Sequence, residues 1–282
     1  MTPLSVYRHW RPTPLITGSF FFTLAAAMVA VIEPEISLWA ATAVAIDIVI
    51  LTFSGLWPRC NLLGPNWTSL PQASITRGEI AITIDDGPNP EITPAVLDLL
   101  DRYGAKVTFF CIGEKARRYP DLCREIAARG HAVENHSMRH RHYFALLMTG
   151  GYFSELKAAQ EILTSITGIR PTFFRAPAGL RNPLLDPVLS RLGLQLVSWT
   201  RRGFDTVERN PNVVLAKLLD GLKAGDILLL HDDNAARTTS GVPVILEVLP
   251  PLLDTIAAVK LCPVTLREAL PSPAFEQGDT IK

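Results

Sequence analysis

The chain has 282 residues, 48% of them hydrophobic, with 27 basic and 27 acidic side chains and a net charge of zero. That balance gives no electrostatic footing for nucleic-acid binding, and the length fits one large domain or two small ones. Charge is also unevenly placed, because residues 12–57 hold only Glu33, Glu35 and Asp47.

The opening stretch, Met1 to Pro14, is polar and carries Arg8, His9 and Arg11. Leu15 to Ile32 is an uncharged run of 18 residues, just long enough to cross a bilayer as a helix. Glu33-Pro34-Glu35 interrupts it. Ile36 to Trp57 is a second run of 22 residues, with Trp39 and Trp57 near its ends, where membrane interfaces favour them. Asp47 sits inside this run, at a cost of about 2.5–3.5 kcal/mol at a helix centre on insertion scales. A signal peptide is the competing reading of the first run, but no small-residue cleavage site precedes the second. Arg8 and Arg11 lie before the pair, Arg59 after it, and no basic residue between. The positive-inside rule then predicts a membrane protein with both chain ends in the cytoplasm.

The expected organisation is an arm with two transmembrane helices over residues 1–58 (helices about 15–32 and 36–57), a linker over 59–78, a folded domain over 79–270 and a tail over 271–282. The linker contains Gly64, Pro65, Pro71 and Gly78 and reads as irregular chain.

From Glu79 the pattern alternates. Short β-branched or apolar runs predict strands at Ile80–Ile84, Lys106–Phe110, Ala132–Glu134, Thr172–Phe174, Gln195–Ser198, Ile227–Leu230 and Cys262–Leu266. Amphipathic stretches between them predict helices at Thr93–Tyr103, Glu114–Arg129, Tyr152–Thr167, Pro183–Leu192, Pro211–Lys223 and Val242–Val259. A glycine follows each of the first five, as a helix C-terminus favours. Repeated strand–helix alternation means a parallel α/β architecture, open or closed into a barrel. The four cysteines form no Cys-x-x-Cys pair, and Cys111 and Cys262, at strand ends, read as buried thiols.

The chemistry-bearing residues cluster at strand ends. Thr83-Ile84-Asp85-Asp86-Gly87-Pro88 ends a strand in two adjacent carboxylates, which repel unless a cation lies beside them. A solvated turn is the bland alternative. His136 and His140 follow another strand, four residues apart, so on a helical turn both imidazoles grip one ion. With a carboxylate from elsewhere they form a set that leaves positions open for water and substrate. Arg175, in Arg175-Ala176-Pro177-Ala178-Gly179, suits a two-pronged bond to a carboxylate such as Asp85. His231 ends the most apolar strand, and Asp205 lies in a polar loop after Trp199.

In this order and spacing the motifs resemble the polysaccharide deacetylase family, the NodB-homology group of carbohydrate esterase family 4, from about Glu79 to Leu266. The resemblance implies a deformed (β/α) barrel with one divalent ion, commonly zinc, that removes acetyl groups from N-acetylated sugars. By motif position it implies Asp85 as the base acting on metal-bound water, and Asp86, His136 and His140 as metal ligands. Arg175 then orients Asp85, the Ala178 backbone N–H holds the oxyanion, His231 protonates the leaving amine and Asp205 sets the charge of His231. Two departures stand out. Ala178 replaces a usual aromatic, while Arg202 and Thr206 replace a frequent Asp and Trp. Arg201 and Arg202 suit an anionic group instead, such as the phosphate of a lipid-linked sugar. The expected partners are therefore the membrane and an N-acetylated glycan or lipid-linked sugar. The alternatives are a catalytically silent carbohydrate- or lipid-binding protein on the same scaffold, and a deacylase of a non-sugar amide or ester.

Overall fold

The computed structural model describes residues 9–270; Arg8 and the tail over 271–282 lie outside the described residues. Helices α1 (Pro14–Ile32) and α2 (Ser37–Leu56) form an antiparallel hairpin joined by a 3-10 turn at Pro34–Ile36. Both are long and apolar enough to cross a membrane, with none of either apolar window buried in the protein. Ser19 on α1 donates to the Asp47 carboxylate on α2, so the one acid inside the hairpin has a partner across it. The start of α1 returns beside the end of α2, where the Thr13 hydroxyl donates to the Leu62 carbonyl at 2.6 Å.

The remainder is a parallel sheet wrapped by helices. In chain order it runs α3 (Gln72–Thr76), β1 (Glu79–Asp85), α4 (Thr93–Arg102), β2 (Thr108–Cys111), α5 (Gly113–Arg118), α6 (Pro120–Ala128), β3 (Ala132–Asn135) and α7 (Thr149–Thr167). Then come β4 (Phe173–Phe174), α8 (Leu185–Leu192), β5 (Gln195–Leu196), β6 (Arg201–Arg202), α9 (Pro211–Leu219), β7 (Ile227–His231), α10 (Val244–Ala258) and β8 (Cys262–Pro263). The strand order is β5-β4-β3-β2-β1-β7-β6, every pairing is parallel, and β8 adds to the start of β1. The sheet curls into a half-barrel of the deformed (β/α) type.

Period-two alternation explains where its residues point. Ile80, Ile82 and Ile84 of β1, with Leu228 and Leu230 of β7, pack in the outer core with helix residues such as Val96, Leu97 and Leu252. Ala81, Phe110, Phe173, Val197 and Ile227 form the inner core. Thr83 and Asp85 share Ala81's side of the strand, so β1 delivers its carboxylate to the mouth of the barrel interior.

Differences from the sequence reading have local causes. The predicted helix over Glu114–Arg129 is two helices, because Pro120 pushes Tyr119 out of the helical region (φ −125°, ψ 60°). Helix α9 stops at Leu219, short of Lys223, and Gly221 turns the chain at φ 62°. Strand β6 was hidden from periodicity by its two-residue length. Cys111 is buried as expected, whereas Cys262 is exposed, because β8 pairs only with β1 at the sheet's bottom rim.

The segment after α2 packs closely on the domain. Leu63 and Leu70 are buried. The Trp67 N–H donates to the Leu196 carbonyl, the Ser198 N–H to the Trp67 carbonyl, and the Leu70 N–H to the Gly225 carbonyl, all at 2.8–2.9 Å. Residues 67–70 thus bridge from the end of β5 towards β7. Helix α2 itself abuts the domain, for a Cβ on Gly55 would lie 2.0 Å from the Arg181 carbonyl oxygen, which only glycine avoids. Gly55→Val is therefore expected to loosen this joint, costing about 1–3 kcal/mol as overpacking does. In a thermal melt of the detergent-purified full chain this lowers the midpoint by roughly 2–12 °C. Gly18→Val, whose Cβ meets nothing within 4 Å, serves as the control.

Candidate active site

The carboxyl ends of the strands form one small cleft of about 150 Å³. Asp85, Asp86, His136, His140, Ala178, Arg202 and His231 all line it. A larger hollow of about 590 Å³ beside Trp57, Arg59 and Lys223 carries no comparable cluster.

Asp86 leaves β1 with φ 77°, a left-handed conformation that Asp tolerates better than most residues. Its turn aims the carboxylate at two imidazoles. His136 Nε2 and His140 Nε2 each lie 3.3 Å from Asp86 Oδ1. The three donor atoms fall within 4.8 Å of one another. The histidines do not share a helical turn. They sit in a loop after β3 in which Ser137 (φ 64°) and His140 (φ 49°) are both left-handed. The Ser137 N–H donates to Asn135 Oδ1 at 2.9 Å and the His140 N–H to Ser137 Oγ at 3.0 Å. Side-chain caps fold this loop, where a helix would use its own backbone.

The arrangement fits a cation. His136 Nδ1 lies 2.8 Å from the Arg175 carbonyl, which only accepts, so Nδ1 carries a hydrogen and Nε2 is the nitrogen turned towards Asp86. Burial, with the neighbouring His136, pushes His140 down to about 4, leaving it neutral near pH 7. Asp86 Oδ1 is buried without a hydrogen-bond partner. Two ring nitrogens converging on a buried carboxylate oxygen without a hydrogen-bond partner form a donor set that a cation satisfies. Asn234, not anticipated from the sequence, donates Nδ2 to Asp86 Oδ2 at 3.1 Å and fixes the other oxygen. Its signal was only its place three residues after His231. Lys115, likewise missed, donates to the Asp86 carbonyl at 2.9 Å.

Asp85 takes a different partner. Arg175, 1% exposed, donates Nη1 to Asp85 Oδ1 and to Thr83 Oγ1 at 2.7 Å each. Its other nitrogens reach the Val197 and Ser198 carbonyls at 3.3 and 2.7 Å. The expected two-pronged grip is thus single-pronged, because backbone carbonyls beyond β5 occupy the rest of the fork. Opposite, His231 is the register partner of Asp85 across β1 and β7. Asp205 accepts from the His231 N–H at 2.7 Å and lies 2.9 Å from Nδ1, leaving Nε2 for the cleft. Burial works against the imidazolium, but the Asp205 charge and hydrogen bond outweigh it and raise His231 above the ordinary histidine value.

Ala178 is exposed at the cleft rim in a left-handed conformation, φ 54°, within a 3-10 turn. The two arginines of β6 separate, since consecutive strand residues face opposite ways. Arg202, paired with Leu229, faces the cleft. Arg201 does not. Its Nε is bound to Asp226 at 2.6 Å and its Nη2 to the Gly221 carbonyl, which corrects its assignment to the substrate site. His131 is buried behind the sheet against Phe109, and His142 is exposed away from the cluster.

A parallel half-barrel with a carboxylate and two imidazoles at its strand ends is the architecture of the NodB-homology esterases. A profile described as polysaccharide deacetylase matches residues 73–197. A peptidoglycan-N-acetylglucosamine deacetylase of Bacillus cereus is 34% identical over 180 residues, covering 61% of this chain and 81% of that protein. A chitooligosaccharide deacetylase of Azorhizobium caulinodans is 36% identical over 167 residues, covering 57% of this chain and 77% of the relative. A solved peptidoglycan N-acetylglucosamine deacetylase, in complex with a hydroxamate-bearing benzamide, superposes with a TM-score of 0.66 at 25% identity, covering 73% of this chain and 92% of that one. The chain belongs to the polysaccharide deacetylase family, hydrolases of non-peptide carbon–nitrogen bonds.

Elemental analysis of the purified full chain is expected to find about one divalent ion per chain at the three-donor site. His136→Ala should lose it while keeping the native circular dichroism. A metal-free wild type that no divalent ion reconstitutes would refute the site.

Proposed function

We propose that this protein removes the acetyl group from an N-acetylated sugar of a polysaccharide or lipid-linked glycan, with a divalent ion, most simply zinc, held by Asp86, His136 and His140. The observation that carries the reading is the orphaned Asp86 Oδ1 facing two imidazole Nε2 atoms at 3.3 Å, beside a carboxylate and a histidine on register-paired strand ends. Deacetylase relatives acting on peptidoglycan and chitooligosaccharides support the substrate class. Zinc is favoured by the nitrogen-rich donor set.

Bound there, the ion supplies Lewis acidity to the amide carbonyl and lowers the pKa of a water towards about 7. The chain's own groups do the rest. Asp85, oriented by Arg175, accepts the proton of the attacking water as its oxygen bonds to the carbonyl carbon. The Ala178 N–H, on the exposed turn at the rim, steadies the oxygen that gains charge. His231, kept protonated by Asp205, gives its proton to nitrogen as the carbon–nitrogen bond breaks. Acetate and a free amine leave.

Asp85→Asn and His231→Ala are each expected to lower kcat by about 10²–10⁴, the usual size of an acid–base contribution, measured by acetate release from N-acetylglucosamine oligomers. The acid must be protonated, so activity falls as pH rises through the His231 pKa. Asp205→Asn removes the charge that raises this pKa. The basic limb of the kcat/KM profile should therefore move to lower pH; an unmoved limb would remove His231 from the acid role.

We further propose that the helix hairpin anchors the protein in a bacterial cytoplasmic membrane with the domain on the cytoplasmic face. Arg11 and Arg59 flank the same end of the hairpin, where Thr13 meets Leu62. A reporter active only in the cytoplasm, fused after Lys282, is expected to be active; silence there, with an active periplasmic reporter, reverses the orientation.

A further inference from the structure

Arg202 is a cation without an anion. It lines the catalytic cleft, yet its Nε is buried with no hydrogen-bond partner, and no carboxylate pairs with it among the described residues. Asp86, which lines the same cleft, keeps its Oδ1 towards His136 and His140, and three further carboxylates are bound by other residues. Asp85 is bound by Arg175, Asp205 by His231, and Asp226 by Arg201. The guanidinium instead lies between two rings, 5.4 Å from the centroid of Trp199 and 5.1 Å from that of Phe204. Such cation–π contacts hold the guanidinium in place, and its N–H groups suit a planar or tetrahedral oxyanion.

Phe204 adds an independent sign. It is 46% exposed and holds a left-handed backbone, φ 63°, which is costly for an aromatic residue. What that conformation achieves is contact with cations, for Lys217 Nζ also lies 5.1 Å from the same ring. Lys217 has no ion-pair partner among the described residues either. Two cations without ion-pair partners among the described residues thus meet one strained ring, and one of them, Arg202, lines the cleft.

We infer that Arg202, backed by Lys217, recognises an anionic group, phosphate or carboxylate, that the substrate carries next to its acetamido sugar. This rests on the proposed deacetylase reading and deepens it. The cleft lies against the end of α2, for a Cβ on Gly179 would lie 2.6 Å from Pro58 and 2.7 Å from Trp199. A phosphate joining sugar to membrane lipid, a soluble sugar phosphate and an acidic sugar carboxylate share the required chemistry.

The test uses the detergent-purified, metal-loaded full chain and four probes: a neutral N-acetylglucosamine oligomer, N-acetylglucosamine 1-phosphate, a polyprenyl-phosphate-linked N-acetylglucosamine in micelles, and an N-acetylmuramic acid oligomer. Acetate release gives kcat and KM, and ligand-observed NMR gives binding separately. At least one anionic probe should show a KM about tenfold or more below that of the neutral one, the worth of one charge-assisted contact. Arg202→Ala should erase most of that ratio through KM, and Arg202→Lys should restore part of it. Which probe wins identifies the source of the anion. An equal ratio in wild type and Arg202→Ala, or no preference in wild type, overturns the inference. If no probe is deacetylated, the deacetylase reading fails, and the NMR contrast between N-acetylglucosamine 1-phosphate and the neutral oligomer still decides the role of Arg202.

Discussion

The fold turns on one buried cation. Arg175 is almost wholly removed from water, and moving a charge inside costs several kcal/mol unless it is fully partnered. Its partners come from three places: Asp85 and Thr83 on β1, the Val197 and Ser198 carbonyls beyond β5, and the Phe110 ring of β2, 4.3 Å from the guanidinium carbon. Strands far apart in the sheet are thereby tied through the barrel interior. The same residue's carbonyl accepts from His136 Nδ1 and sets that ring's tautomer. One residue thus orients both Asp85 and one imidazole of the Asp86, His136 and His140 cluster. Its side chain and its backbone serve different members of the site.

What the sequence made legible follows from where chemistry meets periodicity. Asp85, Asp86, His136, Arg175 and His231 each end or follow a run whose apolar, β-branched composition marks a buried parallel strand. Their convergence then needs only the rule that parallel α/β sites form at carboxyl strand ends. Arg201 and Arg202 were indistinguishable by composition. They become distinct only once β6 is seen to pair with β7, since alternation sends one outward to Asp226 and the other into the cleft. A two-residue strand carries no period to read. The helical turn expected for His136 and His140 failed for a related reason: four-residue spacing is compatible with a helix, but the left-handed Ser137 and the Asn135 cap are stronger local determinants. Asn234 was invisible because nothing about an Asn in a polar loop announces that it faces a buried carboxylate.

The segment between α2 and β1 shows how little Pro and Gly content says about packing. Its punctuation reads as irregular chain, and it is irregular, yet Asn66 Nδ2 bonds the Pro58 carbonyl at 2.9 Å, the Ser198 hydroxyl bonds the same carbonyl, and Arg181 reaches the Gly64 carbonyl at 3.2 Å. Irregular backbone still has to satisfy its polar groups, and here the domain's loops satisfy them. The helix hairpin is consequently joined to the very turn, Ala178 to Arg181, that bounds the cleft.

That joint bears on how the two sides of the cleft divide their labour. The Asp85 side is anchored to the sheet interior through Arg175 and cannot move without exposing a buried charge. The His231 side is anchored by Asp205, whose carboxylate grips the backbone and the ring of the same residue. Between these fixed walls the third wall is made by Ala178, Gly179 and Trp199, and Pro58, just past α2, lies so close to Gly179 that a Cβ there would be 2.6 Å from it. That wall is therefore backed by the chain at the foot of the hairpin. An isolated barrel would keep every residue that lines the cleft but lose the support behind one wall. The foot of the hairpin is thus built into the barrel beside the cleft, because residues 58–64 meet the turn from Gly179 to Arg181 through packing and through the Arg181 hydrogen bonds to the Cys60 and Gly64 carbonyls.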